Sequence, residues 1–178
     1  RDHDWQRAAQ VAWLEERGLP APPGGGAYSI NKGLWGTTIG GKETLDSQES
    51  IPESAWVVTA GAFDTPRAPA RHTLMFERGV PVALDRERME PVALIEQLEA
   101  LAGPYGIGRG IHLGETILGS KGRVAFEAPA AETILCAHRE LEKLTLTGTQ
   151  LKVKEPLGLV YGDLVHEGQH LEPAARDI

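Results

Sequence analysis

Five residues near the end of the chain have the types and spacing of a metal-hydrolase signature. His166, Glu167, Gly168, Gln169 and His170 match H-E-x-x-H. On a helix, histidines four apart share one face and can ligate zinc, with the glutamate acting as general base on the bound water. Two features weaken this zinc-hydrolase reading. Gly168 stands inside the motif, where glycine costs a helix about 1 kcal/mol relative to alanine. Glu172 is too near to serve as the usual downstream ligand. The competing expectation is a helix ending near His166, with Gly168 as its C-cap and both histidines in solvent, and no metal ligand is assigned. Two glycine-rich stretches could cradle phosphate. Gly106-Ile107-Gly108-Arg109-Gly110 follows a helical segment and precedes a strand, the reverse of the order that aims amides at phosphate, so it reads as a turn. Gly40-Gly41-Lys42-Glu43 lacks the hydroxyl residue after lysine and the upstream glycine of a P-loop. Cys136 falls on or near the apolar side of a helix and is expected to be a buried, inert thiol.

These residues must be positioned by about one domain's worth of chain. At 178 residues a compact domain buries about 70% of its unfolded surface and needs no disulfide. A single cysteine fits a reducing compartment, and a cytoplasmic location is expected. Eighteen Lys+Arg against 25 Asp+Glu, a net charge of -7, argue against a nonspecific nucleic-acid or anionic-membrane binder. No apolar run approaches the roughly 18 residues of a membrane span.

Residues 5–17 read as a short amphipathic helix with Trp5 and Trp13 on an alanine-lined face, Asp4 as N-cap and Gly18 as C-cap. Residues 19–27 contain three prolines and three glycines, which reads as a linker. Residues 28–56, rich in glycine, serine and threonine, suit a long functional loop with short extended pieces. Residues 72–85 alternate as a hairpin turning at Arg78-Gly79. Residues 91–102 form a helix opened by Pro91 and closed by Gly103. Two strands follow, joined by a tight turn around Gly119. Residues 130–144 return to helical spacing, and a last helical region covers 149–166, restarted after Pro156. Hairpins and helices without regular strand–helix alternation predict an α+β fold, a mixed or antiparallel sheet packed by helices and preceded by one orphan helix.

Five blocks carry a family resemblance: YSINKGLWGTTIGGKETL, FERGVPVALD, LIEQLEALAGPYGIGRG, GETILGSKGRVAFEAP with AHRELEKLTL, and LVYGDLVHEGQHLEPAARDI. In this order they resemble the synthetase domain of argininosuccinate synthase, in wording closer to a divergent bacterial branch. The resemblance implies an enzyme of arginine biosynthesis that joins citrulline to aspartate. ATP is used, AMP and pyrophosphate are released, and a citrullyl-adenylate is the intermediate. It implies a homotetramer, locked by a helix beyond Ile178. The family's Ser-Gly-Gly-x-Asp-Ser/Thr loop for ATP does not occur here. The expectation is therefore a fragment, inactive alone. Residues 1–18 would end the missing nucleotide domain, 19–27 would be the linker, and 28–178 the synthetase domain. ATP, with Mg2+, would be held mainly by the missing part, and no catalytic residue is assigned within these residues. A non-catalytic amino-acid-binding or assembly module of the same fold is the alternative.

Carried over residue by residue, Ser29 matches a citrulline-contacting serine. Its hydroxyl can donate to a carboxylate or accept from an ammonium. Thr38 stands where the family has a second such serine. Phe126 aligns with a citrulline-contacting tyrosine and lacks its hydroxyl, which points to weaker binding or an altered substrate such as an N-acylated citrulline. Glu115 lies one position from the family's citrulline-binding glutamate, and a one-residue slip on a strand reverses a side chain's face. Lys121 and Arg123 match basic residues after the strand turn and are expected to be solvated.

Overall fold

The structure, a computed structural model, describes residues 5–20, 27–46, 48–65, 67–115, 119 and 121–178. Among the described residues five helices and seven strands build an α+β fold with antiparallel pairing in both sheets. Helix α1 (Arg7–Glu15) precedes the first hairpin, β1 (Ser29–Gly33) and β2 (Gly36–Gly40). Strands β3 (Leu74–Glu77), β4 (Val80–Leu84) and β5 (Glu87–Arg88) then form a small sheet of their own. Helix α2 (Pro91–Ala102) leads to β6 (Arg109–Glu115) and β7 (Lys121–Glu127), and helices α3 (Pro129–Thr145), α4 (Gly148–His166) and α5 (Pro173–Asp177) complete the chain. The main sheet has the order β1-β2-β7-β6, so the first hairpin is annealed to a second one from 70 residues downstream.

Two cores hold this arrangement. One lies between the small sheet, α2 and α3, and is built from Leu84, Leu94, Ile95, Leu98, Ala130 and Ile134. The other lies under the main sheet, where Ile39 and Ala125 meet Ile51 and Ala55. The β3–β4 hairpin turns at Arg78 and Gly79, as its sequence predicts. Both have positive φ, 51° and 81°, the twist that suits a two-residue hairpin. Helix α2 begins at Pro91, whose missing N–H costs nothing in a first turn.

The residues read as a long loop at 28–56 are instead mostly ordered structure. Their first half is the β1–β2 hairpin, closed by Leu34 and Trp35, and β2 is an interior strand. Its two terminal glycines carry little strand propensity. Pairing on both edges supplies what propensity does not. Gly103 also plays a different part from the one expected. It stays right-handed at φ -51°, and the chain continues through a further turn to left-handed Gly106. Gly103 is needed for close approach, since a Cβ there would sit 2.9 Å from the Val58 carbonyl oxygen.

Around α1, Gly18 is left-handed at φ +63°, and Trp5 and Trp13 pack on each other with ring centroids 6.0 Å apart. The expected cap Asp4, linker residues 21–26 and turn residues 116–118 and 120 lie outside the described residues. Helix α4 is one continuous helix through Pro156, not two. It starts on a capping box, with Thr147 Oγ1 accepting from the Gln150 amide at 3.2 Å and the Gln150 side chain accepting from the Thr147 amide at 2.8 Å. None of its residues is buried, so the carbonyl freed by Pro156 can be solvated and the helix carries on. Among the described residues no helix is long and apolar enough to cross a membrane.

Candidate functional site

In an antiparallel ladder, directly opposed residues share a face and neighbours along a strand alternate. Asn31 opposes Thr38, Thr38 opposes Phe126, and Phe126 opposes Gly110, making one row across the main sheet. Ser29 opposes Gly40 and His112 opposes Val124, two positions along. Ser29, Asn31, Thr38, Phe126 and His112 therefore share one face. None of them is buried. Glycines at 33, 36, 40, 110, 114 and 122, with Val124, occupy the remaining positions and leave the floor low. Gly36 is required there, because a Cβ would lie 2.8 Å from the Phe126 ring and 2.9 Å from the Glu127 carbonyl. The sheet thus seats Phe126 on Gly36, with its other side against the His112 ring at 5.7 Å between centroids.

The opposite face is clamped by charge. Thr37, Glu127 and Arg109 form its matching row. Glu127 is fully buried. Its carboxylate accepts from the backbone N–H groups of Val57, Val58 and Thr59 at 3.0, 3.0 and 2.7 Å and from the Thr59 hydroxyl at 2.6 Å. Arg109 donates to Thr59 Oγ1 at 2.8 Å, to the Thr59 carbonyl, and to both Glu53 carboxylate oxygens at 2.7 and 2.8 Å. Its guanidinium lies between the Trp56 and Phe63 rings, 4.4 and 4.7 Å from their centroids. The Arg109 hydrogen bonds hold the Glu53 carboxyl below its usual range. This network straps residues 53–63 under the sheet.

Tyr28, at the start of β1, donates to Glu43 at 2.5 Å. That bond pushes the phenol up to about 12 and holds the Glu43 carboxyl below its usual value. The ion-pairing and capping groups beneath the sheet were not assigned from sequence. A period-2 reading carries their signal, for Arg109 shares parity with Ile111 and Leu113, and Glu127 with Ala125. Charges in an apolar stripe need partners.

The structure therefore gathers Ser29, Thr38 and Phe126 on one open face and sets Glu115 apart. Glu115 opposes Lys121 on the other face, and the two form an ion pair at 2.5 Å; Gly114 takes the open-face position. Arg123 is not simply solvated. Its guanidinium donates to the carbonyls of Glu43, Asp46 and Glu49 and ties that segment to β7. Cys136 is exposed, contrary to the expected burial. Helix α4 stops at His166, and left-handed Gly168, φ +74°, turns the chain, with the Gln169 amide donating to the Leu164 carbonyl at 2.7 Å. His170 lies past that turn, so His166 and His170 do not share a helical face and the H-E-x-x-H geometry is absent. Neither glycine-rich stretch fits a phosphate cradle. The Gly41 amide donates to Thr44 Oγ1, the Gly106 amide to the Gly103 carbonyl and the Arg109 amide to the Gly106 carbonyl.

The fold and this face define an α+β domain on a four-stranded antiparallel sheet, one face strapped by a charged loop and the other open. Residues 28–178 match the family model described as the arginosuccinate synthase C-terminal domain. The chain belongs to that family. It is 34% identical over 178 residues to the argininosuccinate synthase of Methanocaldococcus jannaschii, covering 100% of this chain and 45% of the relative. It is 37% identical over 180 residues to that of Xanthomonas campestris, again covering 100% and 45%. For the enzyme of Metallosphaera sedula the identity is 37% over 167 residues, covering 94% and 42%. The chain thus spans less than half the length of these relatives.

Proposed function

We propose that this chain supplies the citrulline-holding face of an argininosuccinate synthase. The observation that carries the reading is the shared face of Ser29, Thr38 and Phe126, with Thr38 and Phe126 directly opposed. These are the positions at which the family resemblance expects citrulline. Two strands hold the Ser29 and Thr38 hydroxyls at fixed spacing, and catalysis by such a surface is positioning of a weakly reactive ureido group. In the whole enzyme citrulline and aspartate are joined at the expense of ATP, which leaves as AMP and pyrophosphate after a citrullyl-adenylate. We assign ATP and its Mg2+ to residues outside these 178. The glycine-rich stretches here have their amides engaged internally, and no step is routed through them. Glu115 is not assigned to this face, because its ion pair with Lys121 holds it on the other.

Assembly is assigned to the α4 end of the molecule. Helix α4 has no buried residue and presents Leu157, Leu159, Val160 and Val165 to solvent, which fits a homotetramer that covers them.

The test is calorimetric titration of this chain with citrulline at millimolar concentration. Binding is expected, with at least a tenfold loss in Ser29→Ala. The same chain mixed with ATP, citrulline and aspartate is expected to form no argininosuccinate. Equal citrulline binding by Ser29→Ala and the parent would remove the assignment.

A further inference from the structure

Strand β6 presents only one side chain to the open face. Its positions there are Gly110, His112 and Gly114, and those of β7 are Gly122, Val124 and Phe126. On this half of the sheet, hydrogen bonding to a ligand rests on His112 alone, whereas Ser29, Asn31 and Thr38 serve the other half. The His112 ring is oriented edge-on to Phe126, with an angle of 65° between the planes. Beside the pair opens a hollow of about 330 Å³, which Glu132 also lines. Glu132 comes from the first turn of α3. Among the described residues, neither the His112 nor the Glu132 side chain is engaged in a hydrogen bond or an ion pair. A donor, a carboxylate and an aromatic ring therefore border one small cavity, near the low end of small-molecule sites at roughly 300 Å³.

That set matches the two charged groups on the α-carbon of an amino acid and the methylenes that follow them. Resting on the citrulline reading, we propose that His112 and Glu132 determine its specificity for a free α-amino acid. The imidazole N–H donates to the α-carboxylate, the Glu132 carboxylate accepts from the α-ammonium, and Phe126 packs on the methylenes. An N-acylated citrulline lacks the ammonium and forfeits the Glu132 contact.

The experiment titrates citrulline, citrulline amide and N-acetylcitrulline into the parent chain, His112→Ala, His112→Asn and Glu132→Gln, with thermal melts to confirm folding. His112→Ala is expected to weaken citrulline about tenfold and citrulline amide, whose neutral carbonyl is a weaker acceptor, by clearly less. His112→Asn, which keeps an N–H donor, should recover part of the loss. Glu132→Gln is expected to weaken citrulline several-fold and leave N-acetylcitrulline unchanged. Losses that are equal for all three ligands, or absent, overturn the proposal. If Ser29→Ala loses citrulline while His112→Ala and Glu132→Gln do not, this inference falls and the citrulline reading stands. If the parent chain binds no citrulline, both fall.

Discussion

At the scale of single residues, Glu127 governs the site from behind. It neighbours Phe126 along β7 but points to the buried face, where four donors surround its carboxylate. Removing it leaves buried N–H groups unpaired, at about 1–3 kcal/mol for each partner lost in an otherwise dry setting. Glu127→Ala is expected to lower unfolding stability by about 3 kcal/mol, read as a fall in the urea midpoint. A midpoint unchanged from the parent would show that the clamp contributes nothing. Residue types alone do not reveal this role. A glutamate on a strand reads equally well as solvated. Only parity, which places it beside Ala125 and opposite Arg109, marks it as buried.

At the scale of elements, the decisive contact is between β2 and β7. The β1–β2 hairpin brings Ser29 and Thr38, and the β6–β7 hairpin brings Phe126 and His112. At Gly36 the first hairpin passes close against the Phe126 ring of the second. Gly36→Ala adds a methyl with no room for it, and overpacking of this kind costs about 1–3 kcal/mol. The variant is expected to melt at lower temperature and, on the proposed function, to bind citrulline more weakly, with both effects visible in one thermal-shift titration. A variant that melts and binds like the parent would mean that the Phe126 ring moves aside freely. The hairpin at 78–79 and helix α2 were legible because turn chemistry and 3.6-residue spacing are local. The β1–β2 hairpin was not, since its glycines make no local pattern and its order comes from pairing with β7.

At the scale of the whole molecule, carboxylates tie distant segments together, and their titration sets the acid limit. Glu142 on α3 is held below its usual value of 4.5 chiefly by its bond from Lys154 of α4, with His138 adding to it. Glu53 is held low by Arg109. A hydrogen bond from His72 does the same for Asp85. Each depressed acid contributes stability that is complete above its unfolded value and is lost as pH falls through the folded one. Tyr28 acts at the other end. Its phenol is raised from 10.0 to about 12, so its contribution is whole below pH 10.0 and disappears as pH climbs through about 12. The melting temperature is expected to be level between these limits, to fall below about pH 4.5, and to fall again in strong alkali. Circular dichroism melts across pH check this. Glu142→Gln should flatten part of the acid limb, and an acid limb identical to the parent's would deny the α3–α4 tie its role.

The amino-acid order by itself determined the fold class, the β3–β4 hairpin, helices α1, α2 and α3, and the family through five blocks in fixed succession. These follow from short-range rules: alternation, helical spacing, proline at a first turn, glycine past a last one. It also narrowed the end of α4, because glycine just past a last turn readily takes the left-handed φ that closes a helix, as Gly168 does. Which side of each strand faces the open hollow depended on how β2 meets β7, a contact across more than 80 residues that no local pattern encodes. The β6–β7 register separates Glu115 from Phe126 and puts His112 on the open side, while pairing with β2 and the strap at 53–63 leaves Glu127 fully buried. A one-residue change of register would have exchanged the two sets.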